Sequence, residues 1–226
     1  MCIIKNVQDS TVRETEDLKG FVRNLDVDLV GVADVRLLQG MPLGLPLDPS
    51  RFFQTYRYGI VMGLPVGKLG KKVPGRQISL SLEKAAIEVV AYLEERGYRA
   101  LTIHTEDEFD PINRLGFMSL KVLGKAAGLG WQGRSLLIVS PRCGPLHRLV
   151  AVLTNMHLKA DSPIPNRCDG CTLCIDSCPT GALKWVAFED HPERREDVLD
   201  IRACLGDDGC RVCLITCPWG NFSTGR

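Results

Sequence analysis

The sequence predicts an α+β domain over residues 1–160 followed by a small cysteine-rich domain over residues 161–226, on three observations. Helical and strand-like stretches alternate through the first region without repeats or low-complexity tracts. Eight of the ten cysteines lie between Cys168 and Cys217. Between the two regions, Pro163-Ile164-Pro165 reads as a hinge. Of 226 residues, 45% are hydrophobic and 24% charged, the balance of a folded chain rather than a disordered one.

Taken in order, Leu18, Phe21, Val22 and Leu25 mark one helical face, and Leu29-Val30-Gly31-Val32-Ala33 is a strand. Residues 40–50 form a Pro/Gly-rich loop, followed by a buried strand at Ile60-Val61-Met62-Gly63. The segment with Lys68, Lys71, Lys72 and Arg76 among glycines reads as a solvated loop. Residues 81–97 are the clearest helix: Ser81 suits the N-cap, Leu82, Ala85, Ala86, Val89, Val90 and Leu93 form a stripe, and Gly97 suits the terminating position. A short strand at Ala100–Ile103, a polar loop over 104–114 and a helix over 115–127 come next. Strands at Leu136–Val139 and Val150–Leu153 complete the region.

The cysteine pattern carries the chemistry. Cys168-x2-Cys171-x2-Cys174-x3-Cys178-Pro179 is followed by Cys204-x5-Cys210-x2-Cys213-x3-Cys217-Pro218. A disulfide framework would call for an export signal, and the short apolar patch at Met1–Asn6 is not one. Structural zinc favours two separated CxxC pairs over three ligands in seven residues. The spacing predicts two [4Fe–4S] clusters, because a C-x2-C-x2-C loop wraps three corners of a cube and the cysteine before proline reaches the other cluster. Cys168, Cys171, Cys174 and Cys217 would then hold the first cluster, and Cys204, Cys210, Cys213 and Cys178 the second. The wider gap after Cys204 departs from the run.

Charge and hydropathy narrow the classes. The formal net charge is +1, and loading two clusters on eight thiolates would take it to roughly −3. Neither value advertises a nucleic-acid surface. No run approaches the ~20 apolar residues of a membrane helix, and with no export signal a cytoplasmic protein is expected. Gly128-Leu129-Gly130-Trp131-Gln132-Gly133 fits G-x-G-x-x-G, but a helix precedes it and a strand follows, the reverse of a dinucleotide fingerprint. The glycines permit close approach by a large group with Trp131 as a flat wall; a helix-to-strand corner pinned by a buried Trp is the alternative.

These motifs together resemble the epoxyqueuosine reductase family. The residues are Ala127-Gly128-Leu129-Gly130-Trp131-Gln132-Gly133-Arg134, the double cysteine motif with Cys178-Pro179-Thr180-Gly181-Ala182, and Cys217-Pro218-Trp219-Gly220-Asn221. Asp28-Leu29-Val30-Gly31-Val32-Ala33 and Tyr58-Gly59-Ile60-Val61-Met62-Gly63-Leu64-Pro65 also fit. The resemblance implies a core shared with reductive dehalogenases: a nitroreductase-like cobalamin domain fused to a two-cluster, ferredoxin-like domain. It further implies that low-potential electrons pass from a ferredoxin or flavodoxin through the clusters to a corrinoid that reduces a small-molecule or nucleotide-like substrate. Ser119, Lys121, Gly128, Leu129, Gly130, Trp131 and Gly133 would lie along the cofactor.

Two departures qualify the resemblance. Where tRNA-modifying members place a proton-donating aspartate, this sequence has Arg114, and the nearest acid upstream is Asp110. The chain also stops after the cysteine-rich region, where members carry a helical-repeat tail that grips tRNA, so tRNA binding is not expected. It resembles instead a short subgroup with Ser119-x-Lys121 before the AGLGW motif. Candidate proton donors are Lys121, His104 and Asp110. An electron-transfer or activator protein without substrate chemistry of its own is the alternative reading. Nitroreductase-like cores often pair, and Met41-Pro42-Leu43-Gly44-Leu45 suits a homodimer contact.

Overall fold

The computed structural model describes residues 2–38, 53–66, 75–105, 110, 112, 114 and 116–220. The predicted loop at 40–50, the apolar segment 41–45, and Lys68, Lys71 and Lys72 lie outside the described residues. The chain divides into two compact units: Met1–Gly128 with Arg148–Ser162, and Leu129–His147 with Pro163–Arg226. The single boundary near residue 160 read from the sequence therefore differs from the observed division. Segment 129–147 groups with the cysteine-rich region because Trp131 bonds Cys168 and Arg134 bonds the carbonyls of Asp169, Val186 and Phe188.

The strands are β1 (Leu29–Asp34), β2 (Tyr58–Pro65), β3 (Ala100–Ile103), β4 (Trp131–Gln132), β5 (Ile138–Val139) and β6 (His147–Thr154). The longer helices are α1 (Cys2–Arg23), α2 (Gly75–Glu94) and α3 (Leu120–Ala126). In the first unit a four-stranded sheet runs β1-β2-β6-β3. β1 pairs antiparallel with β2, Leu29 opposite Gly63 and Asp34 opposite Tyr58. β3 pairs antiparallel with β6, Ala100 opposite Thr154.

Every residue of β2 is buried, as the near-continuous apolar run of an internal strand covered on both faces should be. The period of two sorts its side chains. Tyr58, Ile60, Met62 and Leu64 join Leu18 and Val22 of α1 and Ile78, Leu82, Val89 and Leu93 of α2 in one core. Gly59 points the other way, where an added Cβ would stand 3.1 Å from Leu153 Cδ2 and 3.6 Å from Leu123 Cδ2 of α3. Helices thus cover both faces.

Two helix starts differ from the sequence reading. α2 begins at Gly75, not near Ser81, whose hydroxyl instead donates to Gln77 O at 3.1 Å inside the helix. Its end is as expected: Gly97 has φ +79°, and the Tyr98 N–H reaches back to Leu93 O at 3.0 Å. α3 spans only Leu120–Ala126, because the Ser119 hydroxyl caps it by accepting from the Val122 N–H at 3.4 Å. After β6 the chain is clamped to α1 and β1. The Lys159 N–H donates to Thr15 Oγ1 at 2.9 Å, and the Asp161 carboxylate takes Lys19 Nζ at 2.7 Å and the Val32 N–H at 2.8 Å.

Candidate metal centre

The second unit is built from turns, a two-stranded β4–β5 sheet and four single-turn helices: α4 (Leu173–Asp176), α5 (Arg195–Val198), α6 (Gly206–Gly209) and α7 (Val212–Ile215). Short turns suit the task, since closely spaced cysteines must point inward from different directions. Asn166 starts the first loop. Its Oδ1 accepts the Cys168 N–H at 2.9 Å while its Nδ2 donates to Gln132 O at 3.0 Å. The Cys171 N–H then bonds Cys168 O at 2.8 Å, and α4 carries Cys174 toward Cys178 and Pro179. In the second loop the wide gap after Cys204 is taken up by α6, whose last turn the Cys210 N–H closes on Gly206 O at 2.7 Å. The irregular spacing thus has a structural reason.

The thiols sort into two quartets by their electrostatic neighbours. Burial pushes Cys174 up to about 12, helped by Cys168, Cys213, Cys171 and Cys217. Burial pushes Cys213 up to about 11, helped by Cys204, Cys210 and Cys178. Cys217 is also raised, by burial first and then by Cys168 and Cys171 against the Trp219 and Gly220 N–H groups. Cys178 goes the other way: burial raises it, but hydrogen bonds from Leu183, Thr180 and Ala182 outweigh that and the net shift is down. The neighbours therefore fall as Cys168, Cys171, Cys174 and Cys217 on one side and Cys178, Cys204, Cys210 and Cys213 on the other, with Cys174 and Cys213 facing across.

All eight are half-buried thiols outside any disulfide. Among the described residues, no three His, Cys, Asp or Glu side chains are close enough to hold one metal ion. A cavity of about 50 Å³ is lined by Cys168, Cys171, Cys174 and Cys217, with Cys213, Arg134 and Trp219 also at its wall. Arg134 is buried, with Nη1 donating to Val186 O (2.9 Å) and Phe188 O (3.2 Å) and Nη2 to Asp169 O (3.1 Å). Its Nε has no partner among the described residues; the four thiols lining the cavity are a donor set of the kind an iron–sulfur core takes. The donor set fits such a cluster.

The glycine motif packs against this centre. Trp131 is 1% exposed, donates Nε1–H to Cys168 Sγ at 3.4 Å, and meets Trp219 edge-on at 4.8 Å between centroids. A Cβ on Gly130 would stand 2.3 Å from Val139 O, and one on Gly133 2.7 Å from Val139 Cγ2. In the first unit, Gly128 has φ +69°, and its Cβ would stand 2.6 Å from Ser162 O. Leu129 is buried. The motif is a corner pinned by a buried tryptophan. The close approaches that need glycine at these positions are made by the chain itself.

The proton candidates are placed as follows, all in the first unit. His104 is exposed and pairs through Nδ1 with Glu83 Oε2 at 2.7 Å. Asp110 is half-buried and accepts the Ile112 N–H at 3.0 Å. Lys121 is exposed in the first turn of α3, while Lys125, one turn on, is buried. Arg114 is exposed with φ +51°. Sequence reasoning missed Lys125, and also the contact in the second unit between Cys143 Sγ and His147 Nδ1 at 3.7 Å. Burial takes that imidazole down to about 4, opposed by its hydrogen bond to Gly144 O.

Paired thiol quartets on two proline-terminated loops have the pattern of an iron–sulfur domain. Residues 167–221 match the 4Fe-4S dicluster domain family. Over 68 residues the chain is 43% identical to an epoxyqueuosine reductase from Bacillus cereus, a stretch covering 30% of this chain and 18% of that relative. The crystal structure of epoxyqueuosine reductase with a tRNA-Tyr stem loop superposes on 92% of this chain and 65% of that one, with a TM-score of 0.67 at 19% identity. A reductive dehalogenase structure described as suggesting a mechanism for B12-dependent dehalogenation covers 95% of this chain and 33% of that one, with a TM-score of 0.68 at 20% identity. The chain resembles epoxyqueuosine reductase and shares the α+β fold of these enzymes, as the sequence motifs imply. It spans about a fifth of the length of the Bacillus cereus relative. With a tRNA stem loop in one of these structures, the expectation that tRNA plays no part finds no support here. No helix among the described residues is long and apolar enough to cross a membrane.

Proposed function

We propose that the chain is an iron–sulfur oxidoreductase of the epoxyqueuosine reductase type, using two [4Fe–4S] clusters as a relay for low-potential electrons. The observation that carries the reading is the sorting of eight thiols into two quartets, the first of which lines a cavity that Cys213 of the second also reaches. Cys168, Cys171, Cys174 and Cys217 would hold one cluster and Cys178, Cys204, Cys210 and Cys213 the other, with a ferredoxin- or flavodoxin-type donor in the cytoplasm supplying electrons. Resemblance to a B12-dependent dehalogenase supports a corrinoid as the electron acceptor, which would supply a strongly reducing metal centre to an organic or nucleotide-like substrate.

A second reading is that the chain is an electron-transfer or activator protein. It is favoured because Gly128, Gly130, Gly133 and Trp131 are all engaged by the chain itself. Anaerobic purification with iron, sulfide and cobalt assays separates the two. About eight iron and one cobalt per chain are expected of the corrinoid reductase. Eight iron, no cobalt and no spectral change with added cob(II)alamin would establish the second reading. Iron near zero after anaerobic reconstitution would overturn both.

A further inference from the structure

We propose that Trp131 is a positioning residue for the first cluster: its indole N–H, donated to Cys168 Sγ, raises that cluster's reduction potential. The inference rests on the reading of Cys168 as a cluster ligand. The indole nitrogen lies 3.4 Å from Cys168 Sγ, inside hydrogen-bond range for sulfur, and the side chain is 1% exposed. A buried indole N–H needs an acceptor, and this thiol is the one provided.

The contact is built rather than incidental. Asn166 ties the strand that carries Trp131 to the loop that carries Cys168, through Gln132 O at 3.0 Å and the Cys168 N–H at 2.9 Å. The ring is fixed on its other sides by the edge-on Trp219 at 4.8 Å and by the Arg167 guanidinium, 5.7 Å from its centroid. An added Cβ at Gly133 would reach 3.7 Å from Cys168 Sγ, so the backbone of the motif also hugs this ligand.

The electrostatic argument is direct. Reduction adds one electron, [4Fe–4S]²⁺ to [4Fe–4S]⁺, with no proton taken up, and increases the negative charge on the ligand sulfurs. A fixed N–H donor stabilises the more negative state more, so hydrogen bonds to sulfur raise the potential. Removing the donor should therefore make that cluster harder to reduce while leaving the other as it was.

The test is a dithionite titration with mediators on the cluster-loaded full chain, followed by electron paramagnetic resonance. In Trp131→Phe one of the two midpoints should fall, by ~59 mV for a tenfold change in a one-electron equilibrium, and the other should stay. Replacing Trp131 with 3-benzothienylalanine, which keeps the shape and swaps N–H for sulfur, should do the same and guards against misfolding of the Phe variant. In the wild-type chain with isotope-labelled indole nitrogens, the reduced cluster should show a nitrogen coupling that persists in Trp219→Phe. Two unmoved midpoints in either loaded variant, a rise, or no such coupling overturns the proposal. Iron near zero in the wild-type chain overturns the cluster reading beneath it, so the two failures are distinct.

Discussion

Replacing Gly128 with Ala tests whether the glycine motif serves the chain or a ligand. Two glycines terminate helices with positive φ: Gly97 after α2 at +79° and Gly128 after α3 at +69°. Around Gly97 an added Cβ meets nothing within 4 Å, whereas at Gly128 it would stand 2.6 Å from the Ser162 carbonyl oxygen. Gly97→Ala should cost only the left-handed backbone term, about 1–2 kcal/mol. Gly128→Ala should cost that plus the displacement of a backbone carbonyl in the segment clamped by Asp161, which adds about 1–3 kcal/mol. Anaerobic urea unfolding of the cluster-loaded variants, with equal m-values, reads the difference directly. Equal midpoints for the two variants, with loss of cobalamin binding confined to Gly128→Ala, would refute the self-contact account and restore a cofactor role to the glycine.

Three further outcomes are expected. Under the crossed assignment, Cys217→Ala and Cys178→Ala each leave about four of eight iron; the double variant Cys168→Ala/Cys217→Ala still keeps about four, whereas Cys168→Ala/Cys178→Ala loses nearly all. The reverse pattern would show that each run holds its own cluster. Asp161→Ala leaves the buried Lys19 ammonium with the exposed Glu16 carboxylate at 3.7 Å and takes the side-chain acceptor from the Val32 N–H, and should cost about 2–4 kcal/mol, less than a fully buried pair because the Asp161 carboxylate is 35% exposed; an unchanged urea midpoint would show the clamp to be idle. His147, at about 4 in the folded chain against 6.5 unperturbed, stays neutral where the unfolded chain takes up a proton. Stability should therefore fall as pH drops from 6.5 toward 4, by up to about 3 kcal/mol, and His147→Gln should flatten that part of the profile in urea titrations.

Much of the fold was legible because burial leaves a plain mark on sequence. The runs at Leu29–Ala33, Ile60–Gly63, Ala100–Ile103 and Val150–Leu153 all fall in strands of the main sheet. Gly97 ends α2 as its position implied. Capping was harder to read. Ser81 looks like a cap but bonds back into its own helix, whereas Ser119, assigned from the resemblance to a cofactor, is the cap of α3. One serine hydroxyl can serve either role, and local sequence does not say which backbone group is nearby. The length of α1 was missed because its stretch around Gln8–Asp17 is mostly polar and shows little apolar period. Cys143 and His147 are four apart but meet through a turn, not a helix face, so no spacing rule would have found them.

The glycine motif shows why ligand cradles and self-contacts look alike in sequence. Both need a position where a Cβ would collide, and the code records only the missing Cβ, not what fills the space. At Gly130 the filler is the Val139 carbonyl and at Gly133 the Val139 side chain, both from strand β5 beside the motif. That close hairpin sets the indole of Trp131 against Cys168, and Arg134, at the end of the motif, grips the backbone around Asp169. The glycines and the tryptophan thus answer different questions in the same few residues. Glycine substitutions should move stability, because they push apart two pieces of backbone. Substitution of Trp131 should move a potential, because it removes one hydrogen-bond donor from one sulfur. A motif whose small residues matter for packing and whose large residue matters for electronics is a buttress for the metal centre, whether or not a further cofactor binds elsewhere on the chain.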